Sequence, residues 1–546
     1  MGIWNSSRPV SRLGLVKRWV ALHAERFAAD TSGVTSVLFA ICFVVVFAAA
    51  AIAVDFGRGV LEKQRQQTAL DAGTLAAAEK IGLPDENSEA KETVENYLKA
   101  NTAAGTEGKL ENLSINDSGE LSTTAGTNML TSLVKSLGIS SLDIGSTSRV
   151  ARTSGTIEIA LVLDNSSDVA GAPLEELRTA AQRLVSILFG NANYSDRISI
   201  AVVPFAGAVN VGTQYRNASW LDADGSKYPS AHFENLAEQN RSRLALFEAM
   251  GTNWGGCVEA RARPHDRSDT PASAADPSSH FLPLFAPDEP DQPGPDDRDG
   301  YPNSYLADFG GTCLPFVPVC LSMRRGRCES WSTPDPTVAQ KQTCKYTGAA
   351  PDTSAAGSTR KGPNMHCDAR PMTPLTGWRS EIEDALTDMR AAGTANIAEG
   401  IMWGWRALSP TEPLTEGRPY DQDNNRKYMI VMGRGANSIE GLRNINESWY
   451  SAYGFAANNR LNPSSHTTTS LENSMDETAR AACRGATDSG IKVLTIGFGA
   501  GSAQTTSMLK YCASGPHDAY SAETGDELLA IFESFGREMV QLRVAG

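Results

Sequence analysis

The chain has 546 residues, 41% of them hydrophobic, and a formal net charge of −14. That length predicts more than one domain, and the apolar content suffices for a sizeable core. The acidic balance argues against a nucleic-acid partner, which requires a basic face.

The first thirty residues differ from the rest. Arg8, Arg12, Lys17, Arg18 and Arg26 stand against Glu25 and Asp30. An uncharged stretch from Thr31 to Val54 follows. As a helix it would extend roughly 36 Å at ~1.5 Å per residue, enough to cross a bilayer. It is too long for a signal-peptide core, although Ala48–Ala51 resemble a cleavage region. The reading adopted is a basic tail over 1–30 and a retained transmembrane helix over 31–56. The excess of basic residues places the tail in the cytoplasm and everything after Asp55 outside.

Cysteine usage agrees with that side. Cys42 falls in the apolar span, and the other eight lie beyond it. Disulfides survive outside the cytoplasm. No tight CxxC pair exists to suggest zinc.

Residues 57–152 read as a helical stalk followed by a small segment. Good helix formers with an apolar face run from Gly57 to Lys80, and a second helical piece ends near Leu98. From about 105 to 152 the chain is rich in Ser, Thr, Gly and Asn, and reads as a small strand-rich segment or linker.

An α/β body begins near Thr156, its first part covering 153–211. The near-continuous apolar run Ile157–Leu163 predicts a strand buried on both faces, hence a parallel sheet covered by helices. Leu174–Leu188 has helical spacing, and Ile198–Phe205 is the next buried strand. Together they form one βαβ unit.

The alternation breaks over 212–372. This stretch is dense in Pro, Gly, Asp and Trp and holds six of the eight outer cysteines. It is too long for a loop in a compact domain, and reads as an inserted, disulfide-stapled subdomain. Its acidic, proline-rich loop Pro283–Gly300 reads as a solvated face, with a calcium site near Asp297 and Asp299 as the weaker alternative.

The alternation resumes over 373–546. Glu381–Ala391 and Asn396–Leu408 read as helices, Lys427–Met432 as a strand, and Glu477–Ser489 as a helix. Ile491–Phe498 reads as a strand and Gly525–Leu542 as a closing helix. The expected fold is α/β, a doubly wound and mostly parallel sheet with a large disulfide-rich insertion, tethered to an N-terminal transmembrane helix. Cys483 and Cys512 flank strand 491–498, and the preceding helix returns beside the strand it feeds, so a disulfide is expected there. Cys257 with Cys367 would close the insertion near its ends, and the remaining four would pair among themselves.

No nucleophile elbow, HExxH or phosphate-binding loop occurs in a convincing context, and the seven histidines are scattered. The expectation is that the protein is not an enzyme. The chemistry instead concentrates at Asp164-Asn165-Ser166-Ser167-Asp168, at the carboxyl end of the first buried strand, where open α/β sheets bind ligands.

Asp164-x-Ser166, then Thr394 in Gly393-Thr394-Ala395-Asn396, then a strand ending at Met432, resembles the order of a von Willebrand factor A (vWA) domain. That resemblance implies a metal-ion-dependent adhesion site, with hard oxygen ligands suited to Mg²⁺. The span followed by Val54-Asp55-Phe56-Gly57-Arg58 and Gln67-Thr68-Ala69-Leu70-Asp71-Ala72 resembles a TadE/TadG-like N-terminus. Gly256-Cys257-Val258-Glu259, Gly362-Pro363-Asn364, Pro374-Leu375-Thr376 and Ile401-Met402-Trp403-Gly404-Trp405-Arg406 extend the resemblance to TadG-type proteins of the Flp (tight adherence) pilus machinery. It implies a single-pass protein of the bacterial inner membrane with its bulk in the periplasm, and a role in pilus assembly or adhesion through pilus-assembly or envelope proteins. Residues 34–38 lack the Glu that prepilin processing would require.

Two positions depart from the vWA pattern. Asp168 stands where Ser is usual, and Arg434 stands where the distant acid is expected. A cation there repels a divalent metal. The expectation is an ion pair from Arg434 to Asp164 or Asp168 in the old metal position. The alternative turns Arg434 to solvent and leaves Asp164, Ser166, Asp168 and Thr394 to bind Mg²⁺ as a metal-dependent adhesin. A third reading makes the turn a cap for the following helix. No cofactor is otherwise expected.

Overall fold

The computed structural model describes residues 34–78, 86–102, 108–115, 120–151, 155–222, 242–291, 303–348, 359–439, 445–499 and 502–545, with isolated positions between them. The chain divides into two compact units, one holding residues up to 152 apart from 82–84, the other holding the rest. Of the acidic loop, Asp297 and Asp299 lie outside the described residues, but 283–290 is buried, with Asp288 paired to Lys345 at 2.7 Å, so that part is not the solvated face expected.

In the first unit a 45-residue helix, Val34–Ala78, runs without interruption. Its first half exposes Val37, Phe39, Phe43 and Phe47. It is the one described helix long and apolar enough to cross a membrane. Its second half buries Leu70, Ala77 and Ala78 against Ala90, Val94 and Leu98 of the helix Glu86–Asn101. The same cluster takes Leu121 and Ala125 from a small sheet. That sheet is an antiparallel meander of β1 (Lys109–Ile115), β2 (Glu120–Leu130) and β3 (Ser141–Ala151). The choice between strands and linker over 105–152 thus resolves to strands. Asp55 tethers the sheet to the helix: its Oδ2 accepts the backbone N–H groups of Ser132, Leu133 and Val134, at 3.1, 2.6 and 2.8 Å.

The second unit is built on a six-stranded sheet. Its strands are β4 (Thr156–Asp164), β5 (Ile198–Phe205), β10 (Thr373–Thr376), β11 (Asn425–Gly433), β12 (Lys492–Phe498) and β13 (Ala519–Ala522), in the order β10-β5-β4-β11-β12-β13. All neighbours pair in parallel except β10, which is antiparallel at one edge. The apolar run of β4 divides by period two. Ile157, Ile159, Leu161 and Leu163 face the helices Ala172–Phe189, Arg379–Asp388 and Gly525–Ala545. Ala160 and Val162 face Ile397–Leu408, Thr468–Asp488 and Ala503–Cys512. Both faces are covered, as a buried parallel strand requires.

The segment over 212–372 holds the hairpin β6 (Cys320–Arg324) and β7 (Arg327–Trp331), and the short pair β8 (Ala355–Ala356) and β9 (Thr359–Arg360). Its aromatic core is not its own. Trp220, Phe247, Phe281, Phe285 and Tyr346 belong to the same cluster as Val162 and Met429 of the sheet. The reason lies in the helix Ile397–Leu408, every residue of which is buried. Gly404 brings it against β4, where a Cβ would stand 2.4 Å from Val162 Cγ2. Its far side needs a second cover. Phe281 supplies it, its ring 5.1 Å from Trp403 and 4.8 Å from the Arg406 guanidinium.

The bridges are Cys257–Cys367, Cys313–Cys344, Cys320–Cys328 and Cys483–Cys512. Cys42 is free and exposed. Within the sheet and its helical layers, β10, β13 and the helix Ala503–Cys512 escape the sequence reading, and one helix starts earlier than expected. Thr468–Asp488 begins where Thr467 Oγ1 accepts the Ser470 N–H at 3.3 Å, nine residues before the apolar pattern becomes readable.

Candidate functional site at the carboxyl end of the sheet

Chain order reverses between β4 and β11. The chain proceeds from β4 to β5 on one side, and returns to β11 on the other. Such a switch point opens a crevice at the carboxyl ends of the strands. Here the crevice is bordered by Asp164, which ends β4, and by Arg434 and Gly435, which follow β11.

Asp164 is fully buried. Its Oδ1 accepts the Ser166 N–H at 2.9 Å, and its Oδ2 accepts the N–H groups of Arg434 at 3.0 Å and Gly435 at 3.4 Å. Burial pushes its pKa up, opposed by these N–H groups. The Ser166 hydroxyl is buried beside the carboxylate without a well-directed hydrogen bond of its own. Asp168 is exposed, and its carboxylate lies against Gly435, where a Cβ would come within 1.8 Å of Oδ2.

The expected ion pair does not form. Arg434 makes no ion pair with Asp164 or Asp168; its guanidinium lies over the Phe498 ring, 5.3 Å from the centroid, and against Gly499. The physical reason is local. The backbone amides of Arg434 and Gly435 already neutralise the inner oxygen of Asp164, and the aromatic face at the end of β12 offers the cation a partner without burying it. The capping reading is also corrected. The helix Ala172–Phe189 has Gly171 as its cap residue, with no side-chain hydrogen bond there, and Asp164 closes an Asx-type turn instead.

Thr394 is half-buried and belongs to a neighbouring cavity of about 10 Å³. That cavity is bordered by Gly207, His366, Thr394, Asn396, Ser438 and Tyr453. Gly393, just before Thr394, accepts the Ser167 N–H at 2.9 Å, which joins this loop to the Asp164 turn. Asn396 caps the helix Ile397–Leu408, its Oδ1 accepting the Glu399 N–H at 3.2 Å. Asn437 Oδ1 accepts the Ile397 N–H at 2.8 Å, so the loop after β11 and the start of that helix are joined. Neither Asn437 nor His366 stood out in the sequence, because a buried polar residue in a loop carries no periodic signal.

The residues therefore fit Mg²⁺ poorly. Both oxygens of Asp164 are engaged by backbone N–H groups, and the carboxylate of the exposed Asp168 lies against Gly435. The buried Ser166 hydroxyl and Asn165 Oδ1, neither with a well-directed hydrogen-bond partner, favour an ion.

His366 is buried at φ 69°, one residue before the Cys257–Cys367 bridge, and its Nε2 has no hydrogen-bond partner. Burial pulls its pKa down to about 4. The folded state thus binds this proton less readily than the unfolded chain. Its contribution is present above pH 6.5 and is lost as pH falls toward about 4. The expected loss is up to about 3 kcal/mol for this one group. Asp288, pushed up to about 6 by burial, acts in the opposite sense. Urea unfolding at pH 7 and pH 4.5 should therefore show a shallower acid loss in His366→Gln than in the parent; equal losses would discount the imidazole.

Residues 33–80 match a family model described as putative Flp pilus-assembly TadE/G-like. No curated protein matches the chain. Among solved structures it is similar to the pilus adhesin SpaC from Lactobacillus rhamnosus GG, at 10% identity and TM-score 0.30, over 80% of this chain and 34% of that one. It thus spans about a third of SpaC. It is also similar to the vWF domain of the type V pili tip protein Mfa5 from Porphyromonas gingivalis, at 9% identity and TM-score 0.31, covering 70% and 95% of the two chains. A mutant of the PilB minor pilin from Streptococcus sanguinis matches at 10% identity and TM-score 0.31, covering 81% and 80%.

Proposed function

We propose that this is a membrane-anchored, extracytoplasmic vWA-like protein that acts in Flp/Tad pilus assembly or surface adhesion through protein–protein contact without a metal. Two features support the reading: the TadE/G-like match over the membrane helix, and an α/β head whose ligand-binding crest keeps the position of an adhesion site. The observation that carries the metal-free part is the engagement of both Asp164 oxygens by three backbone N–H groups. In this reading the span lies in the bacterial inner membrane with the N-terminus cytoplasmic and the head periplasmic. The partners are pilus-assembly or envelope proteins, and the protein performs no catalysis.

Calorimetric titration of the purified chain with Mg²⁺ and Mn²⁺ tests this. The expected result is no one-to-one binding, and partner capture that EDTA leaves unchanged. The second reading, a Mg²⁺-dependent adhesin using Asp164, Ser166, Asp168 and Thr394, is favoured by the buried Ser166 hydroxyl and Asn165 Oδ1, neither with a well-directed partner. Tight one-to-one binding abolished by Asp164→Ala would establish it in place of the first.

A further inference from the structure

Among the described residues, the most exposed apolar surface outside the membrane helix is the β6–β7 hairpin and the segment leading into it. Leu314, Val317, Val319, Leu321, Met323 and Trp331 are each between 56% and 86% exposed. Soluble surfaces rarely leave such side chains together in water, and a patch of this kind marks an interaction site.

The covalent frame keeps them out. Cys320–Cys328 staples the hairpin across its two strands, and Cys313–Cys344 ties its approach to the body. Arg325 and Gly326 turn the chain at φ 50° and φ 77°, both left-handed, which suits a two-residue hairpin turn. The side chains therefore have no route to collapse onto the unit that carries them.

Charge selects the partner. The hairpin carries Arg324, Arg325 and Arg327 around its tip against Glu329 alone, on a chain whose net charge is −14. Arg324 reaches Glu329 only at 3.7 Å, with both side chains exposed, which leaves the tip cationic. Shape selects further. Every residue from Leu321 to Arg327 is exposed, so the hairpin is open around its girth and not along one face. A protein groove covers one face. A headgroup layer surrounds what enters it, and takes apolar side chains, Trp and Arg together.

We propose that this hairpin seats in the anionic phospholipid surface of the bilayer that holds the chain's own membrane helix. Tethering on one chain supplies that surface at high effective concentration. Seating is shallow, because the unpaired strand edges of a two-stranded sheet cannot enter hydrocarbon without losing their hydrogen bonds.

The test uses the full chain, with the photocrosslinker p-benzoylphenylalanine in place of Leu321, in nanodiscs of either phosphatidylglycerol–phosphatidylethanolamine or phosphatidylcholine alone. Mass spectrometry after irradiation identifies what the probe has captured. The expected result is lipid adducts, about tenfold or more abundant in the anionic discs. The Arg324→Glu/Arg325→Glu/Arg327→Glu variant should lose that excess while keeping the Cys320–Cys328 bridge, as read by non-reducing peptide mapping. Adducts to a second protein chain in place of lipid would overturn the proposal. So would the absence of any adduct, or a lipid yield indifferent to headgroup charge and to the three arginines.

Discussion

Glu158→Ala is expected to lower the stability of the head by about 3–5 kcal/mol, because it strands a buried cation. Glu158 lies in the middle of the sheet, fully buried. Across the ladder it stands opposite Lys427, whose Nζ it binds, and it also accepts Arg418 Nη1 at 3.0 Å and the Arg418 N–H at 3.0 Å. Without the carboxylate, Lys427 keeps the Leu408 carbonyl at 2.8 Å and no charge partner among the described residues. Burial already pulls the Lys427 pKa down, and Glu158 opposes that pull. The double variant Glu158→Leu/Lys427→Met should recover most of the loss, since removing both charges leaves nothing uncompensated. Urea unfolding of the two variants checks this; a single-variant loss below about 1 kcal/mol would mean that water reaches the lysine.

Asp164→Ala in metal-free buffer is expected to destabilise the head by about 3 kcal/mol or more, as three N–H groups lose their acceptor. The sign of the effect discriminates between the two functional readings. A carboxylate kept for an absent ion is a desolvated charge, and its removal would be neutral or stabilising. A carboxylate that knots the ends of β4 and β11 together is missed at once. Thermal unfolding in EDTA reads the difference directly, and a raised melting temperature would favour the metal-binding alternative.

The sheet and its two helical layers were legible because burial on both faces leaves a dense apolar run, as in Ile157–Leu163 and Ile198–Phe205. Helices with a wide apolar stripe, such as Ala172–Phe189, were readable to within two residues at each end. The first half of Thr468–Asp488 was not. It is largely Thr, Ser, Asn and Glu, and only the Thr467 cap marks its start. Aromatic density in the insertion predicts burial without saying against what. The buried helix Ile397–Leu408 supplied the missing surface. At the crest, residue types pointed to Asp164 and to the position of Arg434. They did not reveal that the backbone of Arg434, and not its guanidinium, answers Asp164. Main-chain donors have no letter in the sequence.

The uninterrupted helix Val34–Ala78 has a mechanical meaning. Lipid-facing turns and sheet-bearing turns belong to one stiff shaft, and the carboxylate of Asp55 rivets the β meander to it. The helix runs unbroken through Gly57 and Gly59, the two glycines between these stretches. A twist or piston stroke applied to the apolar end of that shaft would reach the meander through Asp55, as the turning of a key reaches its bit.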